Sequence, residues 1–216
     1  VYIAGGNSLT YSSGGALFIT GDAVASTTIQ NQGSGVYAFT IGNAASTTMS
    51  YYAFEDVDSD GLTFTGAPDV TDISYGSFLV ANNADSAITV GGTVLDANPA
   101  LTFTNTTFAT SSGVTSGVSV TATGTSVSSW RFTNHLGDID GEGFDVDPDG
   151  DPGYIVWDDS AASITIAGNV YSDEGSTASA ICDGSTNNVH VRIAGLTSYT
   201  TSCAGGTGAY SVSSVT

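Results

Sequence analysis

The chain has 216 residues, 28 of them Gly, and only 11% carry charge. Asp and Glu number 21 against two Arg and no Lys, which gives a formal charge of −19. That balance excludes a nucleic-acid binder that displaces counterions and a partner at an anionic membrane surface, and the missing Lys excludes a P-loop.

The length fits one domain able to bury its own core. Nine Phe, ten Tyr and two Trp, with 40% hydrophobic residues, oppose disorder despite the charge. The longest apolar runs are about five residues, far short of a membrane helix at about 20. No signal-peptide pattern is visible, so no membrane insertion is expected in this segment. In chain order, predicted strands fall at 16–20, 36–41, 62–65, 88–90, 101–104, 118–121, 154–157, 164–166 and 189–193. They are rich in β-branched and aromatic residues, and Gly, Asn or Asp bounds many of them. No window carries a sustained helical stripe, so the class is all-β.

The strands repeat. Val24–Ile29, Met49–Phe54, Ile73–Phe78, Phe103–Phe108 and Val127–Phe132 each place an apolar residue at the first and sixth positions. Their starts lie 25, 24, 30 and 24 residues apart. A second series falls between them: Val36–Phe39, Leu62–Phe64, Ile88–Val90 and Val118–Val120. One coil of a parallel β-helix takes about that length, and a single coil cannot bury its own inward side chains. Stacking coils about 4.8 Å apart buries them and pairs the backbone. The expected fold is a parallel β-helix of eight or nine coils, a single domain over 1–216 with an acidic loop insertion at 135–153. A β-sandwich is the rival; it explains short strands but not the period.

With these repeats the chain resembles the right-handed parallel β-helix repeat proteins of bacterial surfaces over roughly residues 20–200. The stretch from Trp130 to Asp145, continuing through Asp151 to Ser160, also looks like a block that recurs in secreted β-helix proteins. The resemblance implies an architecture more than an activity. Cys182 and Cys203 suggest one disulfide and an exported protein. Their spacing of 21 residues is close to one coil, so the pair would staple two C-terminal coils.

Two segments share Asp-x-Asp-x-Asp-Gly: Asp56, Asp58 and Asp60 before Gly61, and Asp145, Asp147 and Asp149 before Gly150. Alternate carboxylates followed by a sharp turn can wrap Ca2+ with oxygen ligands. The Glu of an EF-hand loop is missing; Ala67 and Val156 stand in its place, with Asp69 and Asp158 two residues on. Asp138, Asp140, Glu142 and Asp151 crowd the second segment, and carboxylates that close repel one another unless a cation or solvent relieves them. Calcium is therefore expected at Asp145, Asp147, Asp149, Asp151 and Asp158, and at Asp56, Asp58 and Asp60.

His135 and His190 have no zinc spacing with the cysteines and read as polar strand or turn residues. Trp130 and Trp157 flank the acidic stretch, either as a sugar platform or, as expected here, as caps on the core. Asn105-Thr-Thr107 is a glycosylation sequon inside a predicted strand ladder. The expected function is an extracellular or cell-surface structural and adhesive module, self-associating end to end into a homopolymer, with possible glycan contact and no enzymatic activity. The alternatives are a polysaccharide lyase or glycosidase using paired carboxylates, and a glycan-binding module.

Overall fold

The computed structural model describes residues 1–12, 14–150, 153–158, 164–170, 189–192, 198–204 and 207–215. The chain divides into two compact units, Val1–Asp159 and Ser160–Thr216, where the sequence reading expects one domain.

The first unit is a parallel β-solenoid of about six coils. Each coil gives a short strand to each of three sides. The first coil is β1 (Tyr2–Ala4), β2 (Ser8–Tyr11) and β3 (Ala16–Thr20). The second is β4 (Thr27–Gln32), β5 (Tyr37–Ile41) and β6 (Ser46–Ser50). The third is β7 (Tyr52–Glu55), β8 (Val57–Phe64) and β9 (Asp69–Asp72). The fourth runs β10 (Gly76–Val80), β11 (Ser86–Gly91), a helix α1 (Gly92–Ala97) and β12 (Thr102–Thr104). The fifth is β13 (Thr107–Thr110), β14 (Val118–Thr123) and β15 (Trp130–Thr133). The sixth is β16 (Leu136–Gly137), a single bridging residue Val146, and β17 (Ile155–Asp158).

One side stacks β1-β4-β7-β10-β13-β16 and the next β2-β5-β8-β11-β14. The third is split into β3-β6-β9 and β12-β15-β17. Strands alternate inward and outward, as in β5, where Tyr37, Phe39 and Ile41 are buried between half-exposed neighbours. Parallel pairing then stacks like on like. Ile29, Phe54, Phe78 and Phe108 form one inward ladder. Phe39, Leu62, Ile88 and Val120 form another, beside Ile41, Phe64, Val90 and Ala122. Phe54, Phe78 and Phe108 lie nearly parallel, at 6° and 9°, with centroids 5.7 and 5.6 Å apart. Those separations exceed the strand spacing of about 4.8 Å, so the rings are offset rather than eclipsed, the favoured stack for quadrupolar rings.

The coil count falls short of eight or nine for two reasons. The fourth-to-fifth and fifth-to-sixth steps, Phe78 to Phe108 and Phe108 to Gly137, are longer than the 24-residue period. Beyond β17 the described strands pair antiparallel: β18 (Ile164–Asn169) with β21 (Ala209–Val215), and β19 (Val189–Arg192) with β20 (Ser198–Thr201). These belong to the second unit, not to further coils.

The acidic stretch 135–153, expected as an insertion, carries two sides of the sixth coil. Leu136 pairs with Thr107, and Val146 exchanges backbone hydrogen bonds with β14: its N–H donates to Val120 O and its carbonyl accepts from Ala122 N–H, at 2.9 and 2.8 Å. The fifth repeat of the first series is also corrected. Phe132 stacks on Phe103 and Trp157, on the third side, while Val127 is 96% exposed and Val24 95%. Gly137 continues the Phe108 ladder instead. A Cβ there would lie 1.7 Å from Phe108 O at a φ of +129°, so no side chain fits. Trp157 fills the space, stacked on Phe132 at 4.9 Å and edge-on to Phe108 at 5.4 Å. Trp130 is fully buried, edge-on to Phe64 and Phe103. Both tryptophans close the core.

The helix α1 is unexpected, being too short to show a period. It lengthens the fourth coil and interrupts the third side between β9 and β12. The buried Asn98 amide patches that gap. Its Oδ1 accepts from Val70 N–H at 2.7 Å, and its Nδ2 donates to Pro68 O and Val94 O at 2.8 Å each.

Candidate functional site

Both Asp-rich motifs lie on the second side of the solenoid, one in the third coil and one in the sixth. In β8, Tyr37 pairs with Val57 but Phe39 pairs with Leu62. Asp58, Ser59 and Asp60 therefore bulge out of the ladder, the device that re-aims side chains within a sheet. Gly61 ends the bulge at a φ of +66°, where a Cβ would lie 2.3 Å from the carbonyls of Ser86 and Ala87. In the second motif Asp147 caps a turn: its Oδ2 accepts from the N–H groups of Ile155, at 2.7 Å, and Tyr154.

The motifs share one local hydrogen bond. Asp58 Oδ1 accepts from Asp60 N–H at 3.3 Å, and Asp147 Oδ1 accepts from Asp149 N–H at 3.0 Å. Each is a side chain folding the backbone two residues on. Asp145 Oδ2 accepts from Trp157 Nε1 at 3.0 Å, and Glu142 Oε1 from Trp157 N–H at 3.4 Å. His135 Nδ1 lies 2.7 Å from Asp140 Oδ2, with its ring edge-on to Trp157. Several of these acidic residues thus anchor the sixth coil to the indole that closes the core.

Asp158 pairs with Arg131 at 3.3 Å on the surface, a contact of about 0–1 kcal/mol. Asp56 occupies a left-handed corner at φ 59°. Asp151 and Cys182 lie outside the described residues. Cys203 is buried and is not a free thiol. Among the described residues, no three His, Cys, Asp or Glu side chains are grouped so as to hold a metal ion. Asp58 and Asp147 act as turn-formers and Asp145 as an anchor.

Two carboxyls respond to acid in opposite senses. Burial raises Asp58 above the usual carboxylate range, helped by the charges of Asp60 and Asp85 and opposed by two backbone hydrogen bonds. Its ionisation therefore works against the fold at neutral pH, and that cost fades as acid protonates it. Asp58→Asn keeps the Oδ1 acceptor. It should raise Tm at pH 7 by about a degree or two and converge on the parent below about pH 4. An equal increment at both pH values would remove ionisation as the cause. Asp138 is lowered, first by the Thr110 hydroxyl at 2.6 Å. Its contribution is present above about pH 4 and is lost as pH falls through its depressed value.

Two further features escape the motif reading. Among the described residues, β1, β2 and β3 each pair on one side only, so no described strand covers the outer edge of the first coil. Val1, Leu9, Leu17, Phe18, Ile29 and Phe39 line an apolar cavity of about 310 Å³ there. The second is a corner ladder of Tyr51, Tyr75, Asn105 and Asn134, all left-handed with φ between 50° and 56°. Successive members stand beside one another in the register of β7, β10, β13 and β16. The two Tyr rings stack at 4.7 Å and 20°, and Asn134 Nδ2 donates to Asn105 Oδ1. Tyr51, Tyr75 and Asn105 occupy one column of the repeat alignment, so this signal was present in the sequence.

In comparisons with known proteins, no family model, curated sequence or solved structure matches this chain. Its own residues carry the argument. Among the described residues no helix is long and apolar enough to cross a membrane.

Proposed function

We propose that the chain is a structural module of an extracellular surface assembly in which solenoids associate end to end. The observation that supports this is the open first coil. Phe18 is 69% exposed and Leu9 42%, beside a strand edge that no described strand pairs. An edge of that kind is a template for another chain. A coil from a second copy would extend the parallel ladders and cover the cavity. A contact between unlike ends that does not close on itself gives a filament. The charge of −19 opposes association at low ionic strength, and salt should promote it.

Sedimentation velocity and electron microscopy across protein and salt concentrations test this reading. Concentration-dependent growth into filaments is expected, weakened by Phe18→Glu, which adds a charge at the open end. The six coils contribute about 29 Å to any axial repeat, at about 4.8 Å each. A chain that stays monomeric at all concentrations and at high salt would end the proposal.

A disulfide between Cys182 and Cys203, and calcium at the two Asp-rich turns, belong to the same reading. Crowded like charges are what support the second. Melting the chain in calcium and in chelator decides it. A Tm several degrees higher in calcium supports a bound cation, and equal values leave the carboxylates as turn-formers alone.

A further inference from the structure

We propose that the groove beside the Tyr51–Tyr75 pair binds a neutral sugar unit of a glycan. This inference is independent of end-to-end association, because it concerns the flank of the solenoid and not its end.

The groove holds about 340 Å³ and is lined by Asp22, Ser26, Tyr51, Tyr75, Asn105 and Thr107, among others. That volume lies within the range of small-molecule sites, about 300–1,000 Å³. One wall is the 22–25 turn, held by Asp22 Oδ1, which accepts from the N–H groups of Val24 and Ala25 at 2.8 Å each. The other wall is the tyrosine pair, with Tyr75 41% exposed. Both walls are therefore fixed before any ligand arrives.

The backbone sharpens the argument. A left-handed corner suits Asn, whose short polar side chain tolerates it, and disfavours a bulky ring. The ladder uses Asn at 105 and 134 and Tyr at 51 and 75. An Asn pair closes this corner by a side-chain hydrogen bond at 105 and 134, so the corner does not require rings. Strain kept at a solvent-facing cleft points to use of the side chain.

The chemistry selects the ligand class. Rings, hydroxyls, an amide and a carboxylate suit a polyol that presents both C–H faces and O–H donors. No basic side chain lines the groove, and the charge of −19 repels anions. Uronates and phosphates are thereby disfavoured. A peptide could not add as a strand here, because β7 and β10 are paired on both sides.

The test titrates the full chain by calorimetry with neutral gluco-, manno-, galacto- and xylo-oligosaccharides, with oligogalacturonate as the anionic control. Saturable binding of at least one neutral series is expected. Tyr75→Asn should weaken it by about tenfold or more. This substitution restores the residue the ladder uses elsewhere, so circular dichroism and the melting curve should stay close to the parent. Tyr75→Phe should retain most of the affinity. Three results would overturn the proposal: no neutral series binding at millimolar concentration, Tyr75→Asn binding as the parent does, or oligogalacturonate binding as tightly as the neutral sugars.

Discussion

Phe78→Ala should remove about 3–5 kcal/mol of stability, among the largest losses a single side chain can cause in this solenoid. Phe78 is buried in the fourth coil. Its ring stacks between Phe54 and Phe108 and meets Tyr52 edge-on at 5.7 Å. Truncation removes the transfer free energy of the ring and leaves a void that strands locked into a parallel ladder cannot close. The position also matters because each coil contacts only its neighbours, so loss at an inner coil weakens two interfaces at once. Urea denaturation followed by circular dichroism measures the change, and Tm should fall by roughly 10 °C. Val127→Ala, at a side chain 96% exposed, is the control and should stay within about 0.5 kcal/mol. A loss at Phe78 no larger than the control's would mean that the ring ladder is not the core of the unit.

Asn98→Leu comes next, at about 2–4 kcal/mol, although Leu is close to Asn in size. The buried amide serves strand β9 where a neighbouring strand is missing. Without it the Val70 N–H and the Pro68 carbonyl lose their partners. Stranded buried polar groups cost their full desolvation, which two methyl groups in place of the amide O and NH2 do not return. Hydrogen exchange at Val70 should accelerate well beyond that of neighbouring amides. Asn98→Asp separates the two halves of the role. It keeps the acceptor for Val70 but loses the donors and buries a charge, so it should regain stability as pH falls toward the carboxyl range. A Leu variant as stable as the parent would show that water or a backbone shift fills the gap.

Much of the solenoid was legible because its signal is spacing. Ile29 through Phe108 stacks as the first series was aligned, and so do Leu62 on Ile88 and Phe64 on Val90 in the second. At the outer rungs of the second series the register is shifted, because Phe39 stands on Leu62 and Ile88 on Val120. The alignment failed where a coil changed length. A 24-residue step placed Phe132 under Phe108, but the chain spends more residues around the fifth coil, and Gly137 takes that place. Nothing apolar marks a rung occupied by Gly. The helix α1 was invisible because six residues complete fewer than two turns. The sequence offered no sign that strands after β17 would pair antiparallel, since a short β-branched run reads the same in either direction.

The acidic motifs were legible as turns and ambiguous as sites. Alternate Asp residues before Gly suit a cation loop and a side-chain-capped turn equally, because both need oxygen near a tight backbone reversal. What separates them is where the second oxygen points. For Asp147 that depends on Tyr154 and Ile155, which arrive from the next side of the coil.

The corner ladder and the inward ladders together make the length of this protein a stepped quantity. Neighbouring coils match in both the rings they bury and the corner conformation they share, and they differ mainly in how many residues pass between the rungs. Copying the segment from Tyr51 to Ser74 in place would set Tyr52, Phe54, Leu62 and Phe64 against their own duplicates. That would leave both ends of the solenoid unaltered. A lineage carrying such duplications would lengthen its rods in increments of about 4.8 Å, with each intermediate already folded. Deletions that are not whole coils would break every rung beyond them. Reach, in such an architecture, is written as an integer.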